Sequence, residues 1–219
     1  PKFIKAILEN KEIIFTLGVG QTVLECQDIA YKYNNLSKAK EEYKNTKNYW
    51  KNMTENLQVN TPLESINILL NSWLIYQTIT SRLLAKTGYY QSGGAYGFRD
   101  QLQDTIALKY VNPDITKQQI IKHSKHQFIE GDVEHWWHDE TSRGIRTRFS
   151  DDRLWLVYLV EDYIAFTGDK EILDIKTPYL KGNLLENDVD ERYDMYEQSE
   201  IEESIYEHCK KAINISLNF

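Results

Sequence analysis

Thr61-Pro62-Leu63-Glu64-Ser65-Ile66-Asn67-Ile68-Leu69-Leu70-Asn71-Ser72-Trp73-Leu74-Ile75-Tyr76-Gln77 is where the chain turns helical. Thr61 reads as an N-cap, Pro62 as the first helical residue and Glu64 as the third, the pattern of a capping box. Leu63, Ile66, Leu69, Leu70, Trp73, Leu74, Tyr76 and Gln77 then recur at helical spacing. The helix is expected to end near Lys86-Thr87-Gly88. Further helices are expected at about Asp100 to Tyr110, from Ile115 to His126 after the turn Asn112-Pro113-Asp114, and from a cap at Ser150 or Asp151 through Phe166 to Thr167-Gly168-Asp169. Two more are expected over about Lys170 to Leu180 and Ser199 to Ile213. Phe128 to Thr147 shows no period and reads as a long loop, as does polar, acidic Lys181 to Gln198. Long loops on a helical scaffold usually carry function.

Upstream, Gln21 to Asn56 is polar with scattered apolar positions, the pattern of a solvated linker helix or two. Phe3 to Gly20 reads as β, centred on Ile13-Ile14-Phe15-Thr16-Leu17 and closed by Gly18-Val19-Gly20. A lone strand needs partners, so it is taken as the end of a β domain. The chain starts at Pro1 and stops at Phe219 just after the apolar run Ala212 to Leu217, which reads as a fragment of a longer protein.

The 219 residues leave room for one domain, or one and a part, and 41% hydrophobic with 27% charged is a globular composition. Thirty-three acidic residues against 26 basic ones give a net charge of −7, which argues against nucleic acid as a partner. No apolar run approaches the roughly 20 residues of a membrane span. Pro1 to Asn10 lacks the apolar stretch of a signal peptide. Two cysteines, Cys26 and Cys209, make no disulfide framework and fit a reducing cytoplasm. Aromatic residues reach 12%, and each ring has two readings, core packing or a platform for the C–H face of a sugar.

Three segments hold the residues suited to chemistry. Tyr90-Gln91-Ser92-Gly93-Gly94-Ala95-Tyr96-Gly97-Phe98-Arg99-Asp100-Gln101-Leu102-Gln103-Asp104 joins a glycine-rich loop to a helix start. It lacks the Gly-Lys-Ser/Thr of a phosphate loop. Its Arg99, Asp100 and Asp104 either grip neighbouring sugar hydroxyls or form a structural pair with a cap. His126-Gln127-Phe128-Ile129-Glu130-Gly131-Asp132-Val133-Glu134-His135-Trp136-Trp137-His138-Asp139-Glu140 places two tryptophans in an expected loop, where both cannot be ordinary core. Its His135, His138 and Glu140 lack the spacing of a helical zinc site, so no metal is expected. Arg143-Gly144-Ile145-Arg146-Thr147-Arg148-Phe149-Ser150-Asp151-Asp152-Arg153-Leu154-Trp155-Leu156 sets four arginines around two carboxylates. One of those carboxylates reads as a helix cap. A helix N-terminus and nearby arginines lower a carboxyl pKa, whereas a general acid needs it raised.

Taken together and in this order, the three segments resemble glycoside hydrolase family 94, which holds cellobiose, chitobiose and β-glucan phosphorylases and the phosphorylase-like part of cyclic β-1,2-glucan synthetases. The resemblance covers about Glu12 to the end, and the Arg-Thr-Arg-x-Ser-Asp-Asp form is most like the β-1,2-glucan branch. It implies a mainly α chain: the end of a β-sandwich (1–20), a helical linker (21–58), and the N-terminal half of an (α/α)6 barrel (59–219). It places Asp151 at the family's general acid. Arg99, Asp100, Asp104, Trp136, Trp137, His138, Phe149 and Asp152 fall in the substrate-binding set, Phe149 standing where several members have Trp. Arg146 and Arg148 are candidates for phosphate, and Arg153 for orienting phosphate or Asp152.

The reaction so implied is inverting phosphorolysis of a β-linked gluco-oligosaccharide. An inverting hydrolase needs an acid and a base. Phosphate arrives already ionised, so one carboxylic acid suffices, and the product is α-glucose 1-phosphate. No cofactor is implied beyond inorganic phosphate as co-substrate. The implied partners are the oligosaccharide, phosphate, the missing C-terminal half of the barrel, and a second copy in a homodimer. The location is cytoplasmic, or within a larger membrane-linked synthetase. Two rivals stay open: an inverting β-glycoside hydrolase on the same scaffold, and a non-catalytic, truncated carbohydrate-binding fragment.

Overall fold

The computed structural model of the protein describes residues 12–86 and 94–217, which fall into two compact units, Pro1–Met53 and Thr54–Phe219. In the first, helix α1 (Val23–Tyr33) is capped by Thr22, whose Oγ1 accepts from the Glu25 N–H at 3.2 Å. Asn35 does the same for α2 (Leu36–Glu55), its Oδ1 accepting from Ser37 at 2.9 Å and Lys38 at 3.2 Å. Both helices lie in the stretch expected to be helical linker. The expected strand is not found: the part of it before residue 12 lies outside the described residues, and Glu12 to Gly20 carries no strand, with Ile13, Phe15, Leu17 and Val19 exposed. β-branched residues form a strand only where a neighbour pairs with their backbone.

The second unit opens with a helical run, α3 (64–84), in which α turns alternate with π turns at Leu69–Trp73 and Thr78–Leu84. It starts at Glu64 with Leu63 at the N-cap and no side-chain cap; Thr61 instead bonds Asn67 Oδ1 through its own N–H at 2.8 Å. Its expected end at Thr87-Gly88 lies outside the described residues. Ile75, Ile79 and Leu83 are buried, while Ile68, Leu69, Trp73 and Leu74 are exposed. Strand β1 (Tyr96–Gly97) leads into α4 (Phe98–Thr105), a 3-10 turn (Ile106–Tyr110) and α5 (Pro113–Ser124), which Asn112 caps. Helix α6 (Asp152–Thr167) ends on Gly168, whose φ of 74° is the left-handed conformation that glycine supplies cheaply.

Between α5 and α6 the expected loop is a hairpin, β2 (Glu134–His138) and β3 (Arg143–Thr147). After α6 the expected helix is a short 3-10 turn (Glu171–Asp174) followed by strand β4 (Lys176–Lys181). The next expected loop contains β5 (Glu191–Met195), and β6 (Glu197–Ser204) takes the first residues assigned to the last helix, α7 (Ile205–Leu217). Among the described residues these strands pair antiparallel, in a four-stranded sheet ordered β1-β2-β3-β5 and a two-stranded sheet β4-β6, with an isolated parallel bridge from Phe128 to Leu180. The chain is thus mainly helical with some antiparallel sheet.

The core gathers Phe98 and Leu102 of α4, Ile120 of α5, Trp137 of β2, Leu156, Leu159 and Val160 of α6, Ile172, and Ile205 of α7. Burying each such aliphatic or aromatic side chain stabilises the fold by about 1.5–3 kcal/mol. That burial brings the first turn of α4, the hairpin and the first turn of α6 together, and these elements carry the three chemistry-bearing segments.

Candidate active site

Arg99, the second residue of α4, donates from Nη1 to Asp151 Oδ2 at 2.9 Å. Asp151 occupies the N-cap position of α6 but makes no side-chain cap bond, so its carboxylate is committed to the arginine and to solvent. Both side chains are about half exposed. The guanidinium also lies 5.2 Å from the Trp155 ring. The capping reading of Asp151 is thereby set aside, because an N-cap must turn its oxygen back onto the helix N–H groups.

Asp100 and Asp104 meet at Arg82, a residue the sequence reading passed over. Arg82 Nε bonds Asp104 Oδ2, and Arg82 Nη2 lies 3.8 Å from Asp100 Oδ1. Burial pushes the Asp104 carboxyl up, with Arg82 pulling the other way. Arg82 is the only cation between Glu64 and Leu84 and sits in the second π turn of α3. A single charge on an apolar helix was the available signal. The Gly97 N–H donates to Gln101 Oε1 at 2.6 Å, and Gln101 Nε2 reaches back to the Arg82 carbonyl at 3.2 Å, so one amide pins β1 to α3. A Cβ on Gly97 would stand 2.2 Å from Asp100 Oδ2, so only glycine leaves room for that carboxylate. Tyr90 to Gly93 of this segment lie outside the described residues.

The hairpin corrects the expectation for the paired tryptophans. Successive strand residues face opposite sides. Trp137 is 1% exposed, stacked on His126 at 3.7 Å and on Tyr96 at 5.5 Å, with Nε1 donating to Asp139 at 2.8 Å. It is core, and the side on which it packs is not the side of Asp151. Trp136 faces the other way, half-buried, 5.5 Å from both Tyr193 of β5 and His138. Tyr193 had no signal in the sequence, because its strand was read as loop.

Glu134 pairs with Arg146 and Trp136 with the adjacent Ile145, which makes His135 the extra residue of a β-bulge. Its Nδ1 donates to Asp152 Oδ2 at 2.7 Å, and its ring lies 4.6 Å from that of Phe149. The bond to Asp152 holds the imidazole above its usual pKa, with Asp100 and Asp151 adding to the pull and burial opposing it. Asp152 is 2% exposed. Expected among the substrate-binding residues, it faces His135 instead, since the first residue of α6 packs inward. Phe149 is more than half exposed.

Arg146 is likewise corrected. It is fully buried, and its five N–H groups are taken: Nε and Nη2 by the Asp132 carboxylate (2.6 and 2.7 Å), Nη2 also by Glu130 (2.9 Å), and Nη1 by the carbonyls of Gly182 and Asn183 (both 3.1 Å). It has no donor left for phosphate. Arg148, partly exposed, donates from Nε to the Val189 carbonyl (3.0 Å) and from Nη2 to those of Leu185 and Glu186 (3.4 and 2.6 Å). Both arginines tie down the 182–190 segment.

Behind the hairpin lies a cavity of about 510 Å³ lined by His126, Glu134, Trp137, Tyr196 and neighbours, and Asp151 is not among them. Burial pushes Glu134 up to about 8 and His126 well down, and the two lie 2.6 Å apart there. Among the described residues no group of three or more His, Cys, Asp or Glu is placed to hold a metal ion, and no helix is long and apolar enough to cross a membrane.

The model of the glycosyl hydrolase 94 superfamily, catalytic domain, matches residues 49–219. The cyclic beta-(1,2)-glucan synthase NdvB of Rhizobium meliloti (strain 1021) is 38% identical over 172 residues, covering 78% of this chain and 6% of that protein. The N,N'-diacetylchitobiose phosphorylase of Vibrio proteolyticus is 24% identical over 94% of this chain and 28% of its own length. The solabiose phosphorylase of Paenibacillus borealis is 33% identical over 58% of this chain and 15% of its own. The chain thus spans less than a third of the length of each of these curated relatives. The match carries all three chemistry-bearing segments in order, and the chain belongs to the glycosyl hydrolase 94 superfamily.

Proposed function

We propose that this chain carries the acid-bearing part of an inverting glycoside phosphorylase acting on β-linked gluco-oligosaccharides. The observation that carries the reading is the meeting of Arg99 and Asp151, 52 residues apart in sequence, at 2.9 Å on an accessible surface. An acid must sit in the open where a glycosidic oxygen can reach it, and a sugar-gripping arginine must sit beside it. Asp151 protonates the leaving oxygen while phosphate attacks C1 from the opposite face and yields α-glucose 1-phosphate. Arg99, Asp100 and Asp104, with Arg82 behind them, hold the hydroxyls of the sugar that is transferred. Trp136 offers its face to the chain, with Phe149 flanking the acid. The names of the chitobiose and solabiose enzymes support phosphorolysis, and the identity to NdvB supports a β-1,2-linked glucan as substrate.

No cofactor enters this scheme. Phosphate is oriented chiefly by residues of the barrel's C-terminal half, since Arg146 is fully committed within this unit, with Arg148 left as the candidate from this chain. The β-sandwich and half-barrel description, a homodimer, and a cytoplasmic location or a place in a larger membrane-linked synthetase belong to the same proposal. The test is to incubate the full-length gene product with β-1,2-linked gluco-oligosaccharide, with and without inorganic phosphate. Phosphate-dependent release of glucose 1-phosphate is expected. Free glucose without phosphate would move the assignment to an inverting hydrolase, and binding without turnover to a carbohydrate-binding module.

A further inference from the structure

We propose that His135 is a positioning residue, which fixes the turn bearing Asp151 by holding the residues on both sides of it. The inference rests on the reading of Asp151 as the acid. On one side of Asp151, Asp152 accepts the His135 Nδ1–H at 2.7 Å; on the other, Phe149 lies against the His135 ring at 4.6 Å with the planes 30° apart. Asp151 itself makes no cap bond to α6. Its one described side-chain bond is to Arg99, which the proposed function also assigns to the sugar hydroxyls. With Arg99 shared between acid and sugar, the residues flanking Asp151 are what hold the turn that carries its carboxyl.

The β-bulge is what makes this possible. In regular pairing His135 would take its place in the alternation of β2. As the extra residue between Glu134 and Trp136 it is released from the ladder and aimed at α6. The charges around it are arranged to keep it bonded. Asp152 and Asp151 come from the start of α6, Asp100 from α4, and Arg99 and Arg82 neutralise the latter two. The neighbouring acid on its own strand, Glu134, is turned away to His126. Asp152, 2% exposed, would lose its hydrogen-bonded partner if the imidazole were lost, with the neighbouring Arg153 the cation left in its field.

Two substitutions separate the two contacts. His135→Phe keeps a ring against Phe149 and loses the donor; His135→Asn keeps a donor near the Nδ1 position and loses the ring. In the full-length gene product, with β-1,2-linked gluco-oligosaccharide and phosphate, His135→Phe is expected to lower kcat about 10²-fold while KM changes little, because substrate contacts stay and the aim of the acid is lost. His135→Asn and Asp152→Asn are expected to fall between that variant and wild type. Where His135→Phe does not fold, judged by its circular dichroism, the two Asn variants decide. Wild-type kcat in the soluble variants overturns the proposal. So does a raised KM at unchanged kcat, which would make His135 a substrate contact. Asp151→Asn is assayed alongside. If it is inactive while the His135 variants are normal, the positioning role alone falls; if it stays active, the acid reading falls and takes the positioning role with it.

Discussion

Arg99 Nη1 and Asp151 Oδ2 meet at 2.9 Å, one from the first turn of α4 and the other from the residue before α6. The pair is half exposed, so solvent screens it and its net contribution to stability is small. Its value lies in geometry. Asp151→Asn keeps the shape and cannot donate a proton as the acid does. Turnover is expected to fall about 10²–10⁴-fold in the full-length gene product, with oligosaccharide affinity retained. The check is initial rate of glucose 1-phosphate release beside equilibrium binding of the sugar.

Arg99→Lys is expected to raise KM more than it lowers kcat. A lysine keeps the charge but not the fork that holds two oxygens at once. Steady-state kinetics over a range of oligosaccharide concentration separate the two effects, and an unchanged KM would take Arg99 out of the sugar site.

The paired tryptophans are expected to part company on substitution. Trp137→Ala empties a fully buried site between Tyr96 and His126 and should cost about 3–5 kcal/mol in urea unfolding. Trp136→Ala, on the half-buried face beside Tyr193, should cost far less and weaken oligosaccharide binding instead. Equal losses of stability would contradict the facing assigned here.

Arg146→Ala is expected to destabilise by about 3–5 kcal/mol, since it strands Asp132 and the carbonyls of Gly182 and Asn183. At a temperature where the variant stays folded, its apparent KM for phosphate should match that of wild type. A selective rise in that KM would return Arg146 to the phosphate site.

His123 gives a pH signature. It is fully buried among the rings of Tyr96, Phe98 and Trp137, and burial lowers its pKa to about 4. The folded value lies below the unfolded one, so the unfolded chain binds the extra proton between pH 6.5 and 4. The stability it contributes is full above pH 6.5 and is lost as pH falls through about 4, by roughly 3 kcal/mol for a shift of that size. His123→Phe should flatten this part of a urea-midpoint profile against pH.

The helices were legible where one face alone is buried. α5 and α6 follow their caps and turn residues to within about two positions, and Gly168 stops α6 where glycine was read as a stop. The hairpin was illegible because β2 reads Glu-His-Trp-Trp-His, with an indole on each face and therefore no alternation. Strand β6, Glu197–Ser204, is mostly exposed and acidic, so no apolar period exists to mark it. In the site, Arg99, Asp100 and Asp104 were legible as a cluster at one helix start. What the sequence could not tell is which cations were spoken for. Arg146 and Arg148 look like Arg99 until their partners in the 182–190 segment are placed.

The doubled tryptophan has a consequence for how the hairpin is assembled. A slip of one residue along β2 normally trades every inward side chain for an outward one. Here the slip would trade one indole for the other, and the hydrophobic centre would scarcely register the error. Correct alignment must therefore be enforced elsewhere. Two features can do so: the anchor from the Trp137 indole nitrogen to Asp139, and the missing side chain at Gly144, where a methyl would collide with Glu134 Oε1 at 2.0 Å. Proofreading of this strand falls to a glycine and an aspartate rather than to the two largest residues it contains.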